Sequence, residues 1–587
     1  MQRQFTADFE TSTDPNDVRV WAWALCEIGD PDNFKYGNSI DTMMEYIENL
    51  SGNHKLWFHN LRFDGSYIVS WLYKNGYEFV ESPKEKRERT FTTLISSMGQ
   101  WYSIEIFFEQ QGKKWHRLKI LDSLKIYNFS VADIAKNFDL PISKLELDYD
   151  EFRPVGHELT QHEIEYIKND VKIMALALDI LFSQGHTKMT ISSDALAYYK
   201  SIMPNFRKYF PELPKEIDGE IRQSYKGGFT YLNPLYKNKE TGAGIVFDVN
   251  SMYPAQMRYQ LMPWGFPEPF FGQYEYDPCY PLYVQNFSCS FELKKGKIPS
   301  IQIKSNPFLF KGNEYLESSN GEIVSLTLTN PDLELFFEQY NVDIDTLEYE
   351  GGFKFKATHG LFNDYVDHWM DEKIRATKEG KKAQRAISKL FANSLYGRFG
   401  LNPKGGKKKP ILGLHGELKY EYLDEDDRKP VYIPVATFIT SLARKFIIES
   451  SQAIRDWSLE HKGFDAYVYS DTDSIHALLT DEDVEQLKDI IKIDNYALGY
   501  WKPESKFIRG KYLRQKCYIE QDEDGVINAT IAGLPKKLAP IINFENFKVG
   551  FSTADVPDEI IDQYGRKLTY KQCDGGVILV PVDFTIK

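Results

Sequence analysis

Two aspartates, Asp471 and Asp473, stand beside a serine and a threonine in the run VYSDTDSIHA at 468–477, inside an otherwise apolar segment. Residues 464–469 are largely aromatic and β-branched, and Ile475, Ala477 and Leu478 resume that character, which predicts a strand that bends at the acids. Like charges held close repel, and burying either alone is expensive, so a positive partner is required. A second acid, Asp248, ends the apolar run 245–247 in GIVFDVNSMYP. If that strand lies beside the one ending at Tyr469, then Asp248, Asp471 and Asp473 form one acidic cluster. Three hard oxygen ligands without His or Cys suit Mg²⁺ or Mn²⁺ rather than zinc. Two such ions activate an attacking oxygen and stabilise a leaving one. A lone DxD reads more often as a capped, solvated loop; the repeat of strand, Asp and turn favours a metal centre.

Between these acids lies KLFANSLYG at 389–397, where Lys389, Asn393 and Tyr396 fall on one helical face. A lysine facing a metal site neutralises a triphosphate, a tyrosine stacks on a base pair, and Gly397 permits close approach. A helix end with its glycine cap is the ordinary alternative. Near the N-terminus, FTADFETS places Asp8 and Glu10 two apart on a strand, hence on one face, with Phe5, Ala7 and Phe9 on the other. FHNLRFDG pairs Asn60 with Asp64, and YIKND pairs Tyr166 with Asp170, each four apart on a helix. Any one of these sets is common on a solvated face. Together they describe a second centre for two-metal hydrolysis, with Tyr166 orienting the attacking water.

Elements must bring these scattered residues together. With 587 residues the chain is too long for one core, so several subdomains are expected. The first 180 or so residues alternate strand-like and helix-like patterns, an α/β style. An amphipathic helix spans HEIEYIKNDVKIMALALDILFSQG and closes at Gly185, and a new unit begins near Thr190. Residues 260–360 read as loops and short strands, 362–399 as a helical hairpin, and 402–432 as two strands around a His-Gly turn. That last hairpin, with the basic run KGGKKKP, is expected to project from the sheet that carries the aspartates.

Composition restricts the class. No apolar run approaches a membrane span, and the first residues read as a strand, so neither a membrane segment nor a secretory signal is expected. The five cysteines lack any CxxC pair, which fits a reducing, intracellular compartment and argues against zinc or disulfide frameworks. The net charge of −14 argues on its face against a polyanionic partner, but local basic runs such as KEKRER and RGKYLRQK leave room for nucleic acid.

DVNSMYP, KLFANSLYG and YSDTDS, in this order, resemble polymerase motifs A, B and C of the family B DNA polymerases, and KCY at 516–518 resembles their Lys-x-Tyr motif. The Asp8/Glu10, Asn60/Asp64 and Tyr166/Asp170 sets resemble the three motifs of the accompanying 3′–5′ exonucleases. SYKGGFTYLN, KGNEYLESSNGEI, FENFKVGF and the terminal FTIK narrow the resemblance to the small terminal-protein-primed phage polymerases of the phi-twenty-nine type. It covers essentially the whole chain.

The resemblance implies an α/β and α+β multidomain fold, with a ribonuclease-H-like exonuclease domain before a right-hand polymerase domain with two insertions. The implied boundaries are exonuclease 1–189, palm 190–259 and 433–531, first insertion 260–362, fingers 363–400, second insertion 401–432 and thumb 532–587. It implies Asp248, Asp471 and Asp473 as polymerase catalytic residues, with Val249 joining Asp248 and Asp473 at the metals. Asp8, Glu10 and Asp170 are implied as exonuclease metal ligands, with Asp64 and Tyr166 also catalytic. The implied nucleotide contacts are Tyr253, Lys389, Asn393 and Tyr396. The fingers segment is about two residues longer than the family pattern, which leaves the partner cation open among Lys373, Arg375, Lys381 and Lys382. Arg375 is carried forward. Implied DNA contacts are Tyr225, Gly227, Gly228, Asn60, Phe63, Lys144, Thr472, Lys516 and Tyr518. Cys517 replaces an expected threonine.

Implied partners are primer–template and single-stranded DNA, deoxynucleoside triphosphates, Mg²⁺ (or Mn²⁺) and a terminal protein, for a monomer or a heterodimer with that protein. The implied compartment is the bacterial host cytoplasm. Two other readings compete: a nuclease whose second half only holds substrate, and a catalytically silent priming or binding scaffold. The first makes the Asp248/Asp471/Asp473 set ornamental despite Lys389 and Tyr396. The second predicts a lost carboxylate, and none is missing. An RNA-copying enzyme is a weaker option, since YSDTDS is not its expected paired-aspartate form.

Overall fold

The computed structural model describes residues 3–50, 52–112, 114–149, 151–304, 306–308, 310–312 and 314–587. Asn313, inside the 311–323 segment that carried part of the resemblance, lies outside them.

The N-terminal third builds a mixed sheet at whose centre the strands Gln4–Thr11, Asn53–Phe58 and Lys114–Asp122 run parallel. Parallel strands need covered faces, and the helices Leu61–Lys74 and Gln161–Phe182 pack on them, matching the α/β pattern. The second helix begins at a capping box, in which the Thr160 side chain and Glu163 satisfy each other's free backbone N–H groups. Gly185, with φ of 86°, follows its end. Thr190 caps the next helix, Ile191–Ile202.

The two strands around His415-Gly416 form as expected, Lys404–Leu412 against Leu418–Asp427. Their placement differs from expectation. They do not stand on the sheet of the aspartates but extend the N-terminal sheet to ten strands, with Lys407 opposite Ser96 and Lys408 opposite Ile95. On that edge of Thr90–Ser96 the short strand Glu78–Phe79 pairs with Thr90 and Phe91, and the hairpin covers the other end. The Tyr73 hydroxyl fixes it further by donating to the Pro410 carbonyl at 2.7 Å. On the neighbouring face the C-terminal hairpin, Lys567–Cys573 with Gly576–Val582, packs on helix Leu61–Lys74. There Tyr67 donates to the Val577 carbonyl at 2.6 Å, and a Cβ on Gly576 would collide with the Tyr67 ring.

Residues 260–358 fold around their own four-stranded sheet, Met262–Phe271, Glu348–Thr358, Leu282–Cys289 and Val324–Thr329. The helical hairpin is Asn363–Lys378 and Lys382–Phe399, turning at Gly380. One apolar cluster runs from Trp57 and Leu178 through Phe391 and Phe399 to Val435 and Phe438. The N-terminal unit and the helical hairpin therefore share a core and are not beads on a string. No helix among the described residues is long and apolar enough to cross a membrane.

Candidate active sites

The first acidic centre lies on a five-stranded antiparallel sheet, in the order Trp501–Phe507, Gly244–Val249, Ser474–Ala477, Tyr467–Asp471, Thr230–Leu232. Lys502, Asp248, Ser474, Asp471 and Thr230 stand opposite one another from strand to strand. Directly opposed residues share a face, so these five form one row across the sheet. Strand Ser474–Ala477 lies between the two aspartate strands, which corrects the expectation that they are neighbours. The tight turn at Thr472 (φ 63°) reverses the chain, and the returning strand inserts between them. The Val249 N–H donates to the Asp473 carbonyl at 2.8 Å, which holds that turn against the first strand.

The three aspartates are not equivalent. Burial, then repulsion from Asp473 and Glu504, pushes Asp248 up to about 7, against the pull of Lys502 and Lys389. Burial and the charge of Asp471 raise Asp473 as well. Asp471 already has its cation: Lys516 Nζ sits 2.8 Å from both of its oxygens, and the hydroxyls of Thr230 (3.1 Å) and Tyr469 (3.3 Å) donate to it. The expected three-acid cluster is thus a pair short of positive charge plus a third acid already paired.

Opposite the pair, burial and the charges of Lys389, Arg385 and Lys502 lower the pKa of Lys373. Four cations crowding one region need an anion, and a polyphosphate fits. The Tyr253 and Tyr396 rings lie 4.0 Å apart between centroids, inclined by 30°, and both feel the charge of Asp473. The YKGG loop (225–228) approaches from the other strand. The Thr472 N–H donates to the Phe229 carbonyl at 2.7 Å, and a Cβ on Gly228 would lie 2.7 Å from the Thr472 methyl. A Cβ on Gly227 would meet open space. Tyr225 occupies the room left by the missing side chain of Gly400.

The second centre lies in a cavity of about 660 Å³ in the N-terminal unit, lined among others by Asp8, Glu10, Asp64, Tyr166 and Asp170. Asp8 and Glu10 come from strand Gln4–Thr11, Asp64 from the first turn of helix Leu61–Lys74, and Tyr166 and Asp170 from one face of helix Gln161–Phe182. Carboxylate oxygens of Asp8, Glu10 and Asp170 all lie within 4.8 Å of one another. Burial, then Asp170, pushes Asp8 up to about 7; burial and Asp8 raise Glu10 and Asp64 well above the usual carboxylate range. Lys144 ion-pairs with Asp170, and this attraction outweighs the burial that disfavours its charge. The other oxygen of Asp170 is buried with no hydrogen-bond partner. Orphaned, crowded carboxylate oxygen is what a hard divalent cation satisfies, so the donor set fits one. Tyr166 and Tyr149 share a hydrogen bond of 2.6 Å between their hydroxyls.

A family model for "DNA polymerase type B, organellar and viral" matches residues 47–491. The DNA polymerase of Bacillus phage Nf is 45% identical over 606 aligned residues that cover all of both chains. The solved ternary complex of phi29 DNA polymerase with primer-template DNA and incoming nucleotide matches all of both chains at TM-score 0.90 and 43% identity. The phi29 polymerase complexed with single-stranded DNA matches over the same span at TM-score 0.88 and 42% identity. The chain belongs to the type B DNA polymerases. It is a DNA-directed DNA polymerase with an exonuclease domain and a polymerase domain, an enzyme class that uses divalent metal.

In this type B polymerase most of the residues singled out in the sequence converge on the two centres. Arg375 does not. It is exposed and pairs with Glu372 at 2.6 Å, one helical turn back, while Lys373 and Arg385 are the cations in the field of Lys389. Asn393 shares with Lys389 a groove between its own helix and Phe129. Asn60 has left-handed backbone (φ 76°), and its side chain donates to the Tyr570 hydroxyl at 3.0 Å, which ties the exonuclease cavity to the C-terminal hairpin. Phe63 packs on Tyr570 too.

Four residues near the centres escaped the sequence reading: Arg385, Tyr149, Lys502 and Glu504. Tyr149 lies in an irregular segment with no period. Lys502 and Glu504 lie around Pro503, where the register with strand Gly244–Val249 shifts. A proline inside a strand pattern marks an edge or bulge, and was the available signal.

The contrast between the two loop glycines makes a prediction. Gly228→Ala forces Thr472, and with it the Asp471–Asp473 turn, to move; overpacking of this kind costs roughly 1–3 kcal/mol. Primer extension should fall about tenfold or more in Gly228→Ala and stay near normal in Gly227→Ala. Steady-state extension assays on the two variants check this, and equal effects would remove the steric explanation.

Proposed function

We propose that this polymerase replicates phage DNA inside a bacterial host, primed by a terminal protein, with proofreading by its own 3′–5′ exonuclease. The observation that supports the division of labour is that two separate carboxylate centres stand on two different sheets. The subdomain boundaries and site assignments stated from the sequence are kept as part of this reading, with Lys373 and Arg385 in place of Arg375.

In the polymerase centre Asp248 and Asp473, with the Val249 main chain, would hold Mg²⁺, with Mn²⁺ as substitute. Those ions would lower the charge on the triphosphate and the pKa of the primer hydroxyl. Lys389, Lys373 and Arg385 neutralise the triphosphate, Asn393 flanks them, and Tyr253 and Tyr396 pack on sugar and base. Asp471 acts through Lys516, placing that ammonium and Tyr518 at the primer end. Thr472, Gly228, Gly227 and Tyr225 guide the template. In the exonuclease centre Asp8, Glu10 and Asp170 would hold the ions and Asp64 completes the negative field. Tyr166, its hydroxyl steadied by Tyr149, orients the attacking water. Lys144 balances Asp170 and the departing phosphate, and Asn60 and Phe63 hold the last nucleotides of a single strand. Support for DNA as partner comes from the relatives' complexes with primer-template and single-stranded DNA. The separate sheet of residues 260–358, which carries the strongly exposed Phe271 and Tyr276, is the surface proposed for the terminal protein.

Separation of function tests the reading. Asp473→Asn should lower nucleotide addition about a hundredfold or more and leave degradation of single strands intact. Asp8→Ala with Glu10→Ala should do the reverse. Gel assays on labelled primer, with and without dNTPs, decide it; joint loss of both activities in a folded variant contradicts the two-centre model.

The raised carboxylates give a second test. A free Asp titrates near 4, whereas burial, with neighbouring carboxylates, pushes Asp8 and Asp248 up to about 7 in the folded protein. Between these values the folded state binds more protons than the unfolded one, so metal-free stability falls as pH rises through that window and the loss is complete above about 7. Mg²⁺ should restore it by neutralising the ionised acids. The Mg²⁺-induced rise in Tm should therefore be larger at about pH 8 than at about pH 5.5. An equal rise at both values would mean that the ions bind elsewhere.

A further inference from the structure

Beneath the turn that carries Lys516 and Tyr518 lies a buried polar knot. Glu520, 8% exposed, sits on strand Cys517–Gln521. One of its oxygens accepts from His476 Nδ1 at 2.6 Å and from the Tyr512 hydroxyl at 2.5 Å. His476 is 2% exposed and Tyr512 fully buried. His476 lies two residues beyond Ser474 on the same strand, hence on the face that carries the row of Asp471 and Asp248. Tyr518 packs into this knot: its ring centroid is 5.0 Å from that of His476, 5.2 Å from that of Tyr469 and 5.5 Å from that of Tyr512. Tyr469 closes the circuit, accepting from the Lys516 N–H at 2.9 Å and donating to Asp471 at 3.3 Å.

The strands Arg509–Arg514 and Cys517–Gln521 belong to a different sheet from the aspartates. Short connections at Ile508 and at 242–243 join the two sheets, but no ladder spans them, so the fine position of Lys516 and Tyr518 against Asp471 is left to side chains. A whole buried polar set replaced by well-packed apolar residues is commonly as stable or more so, so stability alone does not account for Glu520, His476 and Tyr512 together. A single oxygen receiving two donors from two sheets fixes direction as well as distance.

We propose that Glu520 is a positioning residue for nucleotide addition: through His476 and Tyr512 it sets the depth at which Lys516 and Tyr518 hold the primer end against Asp471. The proposal rests on the reading of Lys516 and Tyr518 as the primer-end contacts. Misplacement of reacting groups by about an ångström costs up to about a hundredfold in rate. A primer end held loosely at the polymerase centre also leaves more often for the exonuclease.

The test measures, on one paired primer–template, the ratio of nucleotides added to nucleotides excised. It also measures the KM for dNTP and excision of free single strands. Glu520→Leu should lower the ratio by about tenfold to a hundredfold. The dNTP KM and single-strand excision should not change. Glu520→Gln, which keeps the acceptor oxygen, should restore most of the ratio. Tyr512→Phe, a milder change that loses one donor, should shift it the same way by less. An unchanged ratio in both Glu520→Leu and Tyr512→Phe overturns the proposal. So does equal damage in Glu520→Gln and Glu520→Leu, which points to charge, or a parallel loss of single-strand excision, which points to folding. If Lys516→Ala leaves the ratio unchanged, the primer-end reading itself fails. If Lys516→Ala shifts it and the Glu520 variants do not, this inference alone fails.

Discussion

Carboxylates held against their mutual repulsion in a buried setting are the constraint on which the rest of this polymerase depends. A free pair of aspartates would part or take up a proton; here both Asp248 and Asp8 are pushed up to about 7, chiefly by burial. Only a stiff frame keeps such groups in place without a cation. In the polymerase domain the frame is cross-strand register, which puts Lys502, Asp248, Ser474 and Asp471 in one row. In the exonuclease domain it is a parallel strand and two helices meeting at one cavity. The folding energy for both comes from the apolar layers behind them, including a cluster shared by the N-terminal unit and the helical hairpin.

Charge is distributed asymmetrically over the three polymerase aspartates. Asp471 is matched by Lys516 and three hydroxyls, while Asp248 and Asp473 remain short of positive charge. In this centre the carboxylate paired with a lysine is held in place, and the two less well matched ones are the pair whose charge a divalent ion would offset. The C-terminal and 404–427 hairpins carry the same economy to the exonuclease domain. Each completes a surface that domain leaves open, one covering a strand edge and the other lining the cavity with Tyr570.

Local pattern carried much of this. The alternation and helical spacing in the chain were enough to group Asp8 with Glu10, Tyr166 with Asp170 and Lys389 with Tyr396, because those relations are set by the periods of strand and helix. The bend at Thr472 was legible from polar residues interrupting an apolar run. Strand order was not: nothing local says that Ser474–Ala477 inserts between the two aspartate strands, or that Lys404–Leu412 joins Thr90–Ser96 some three hundred positions away. The pairing of Asp471 with Lys516, the failure of Arg375 to reach Lys389 and the charge of Glu504 near Asp248 are likewise tertiary. Each depends on which of several equivalent cations or acids the fold happens to bring close.

The most direct test of this account is to locate divalent ions by the anomalous scattering of Mn²⁺ in crystals of the polymerase soaked at neutral pH or above. The account predicts peaks bridging Asp8, Glu10 and Asp170 and peaks between Asp248 and Asp473, with Asp471 still paired to Lys516 and carrying none. A peak on Asp471 with Lys516 displaced, or no peak at either carboxylate set, would contradict it.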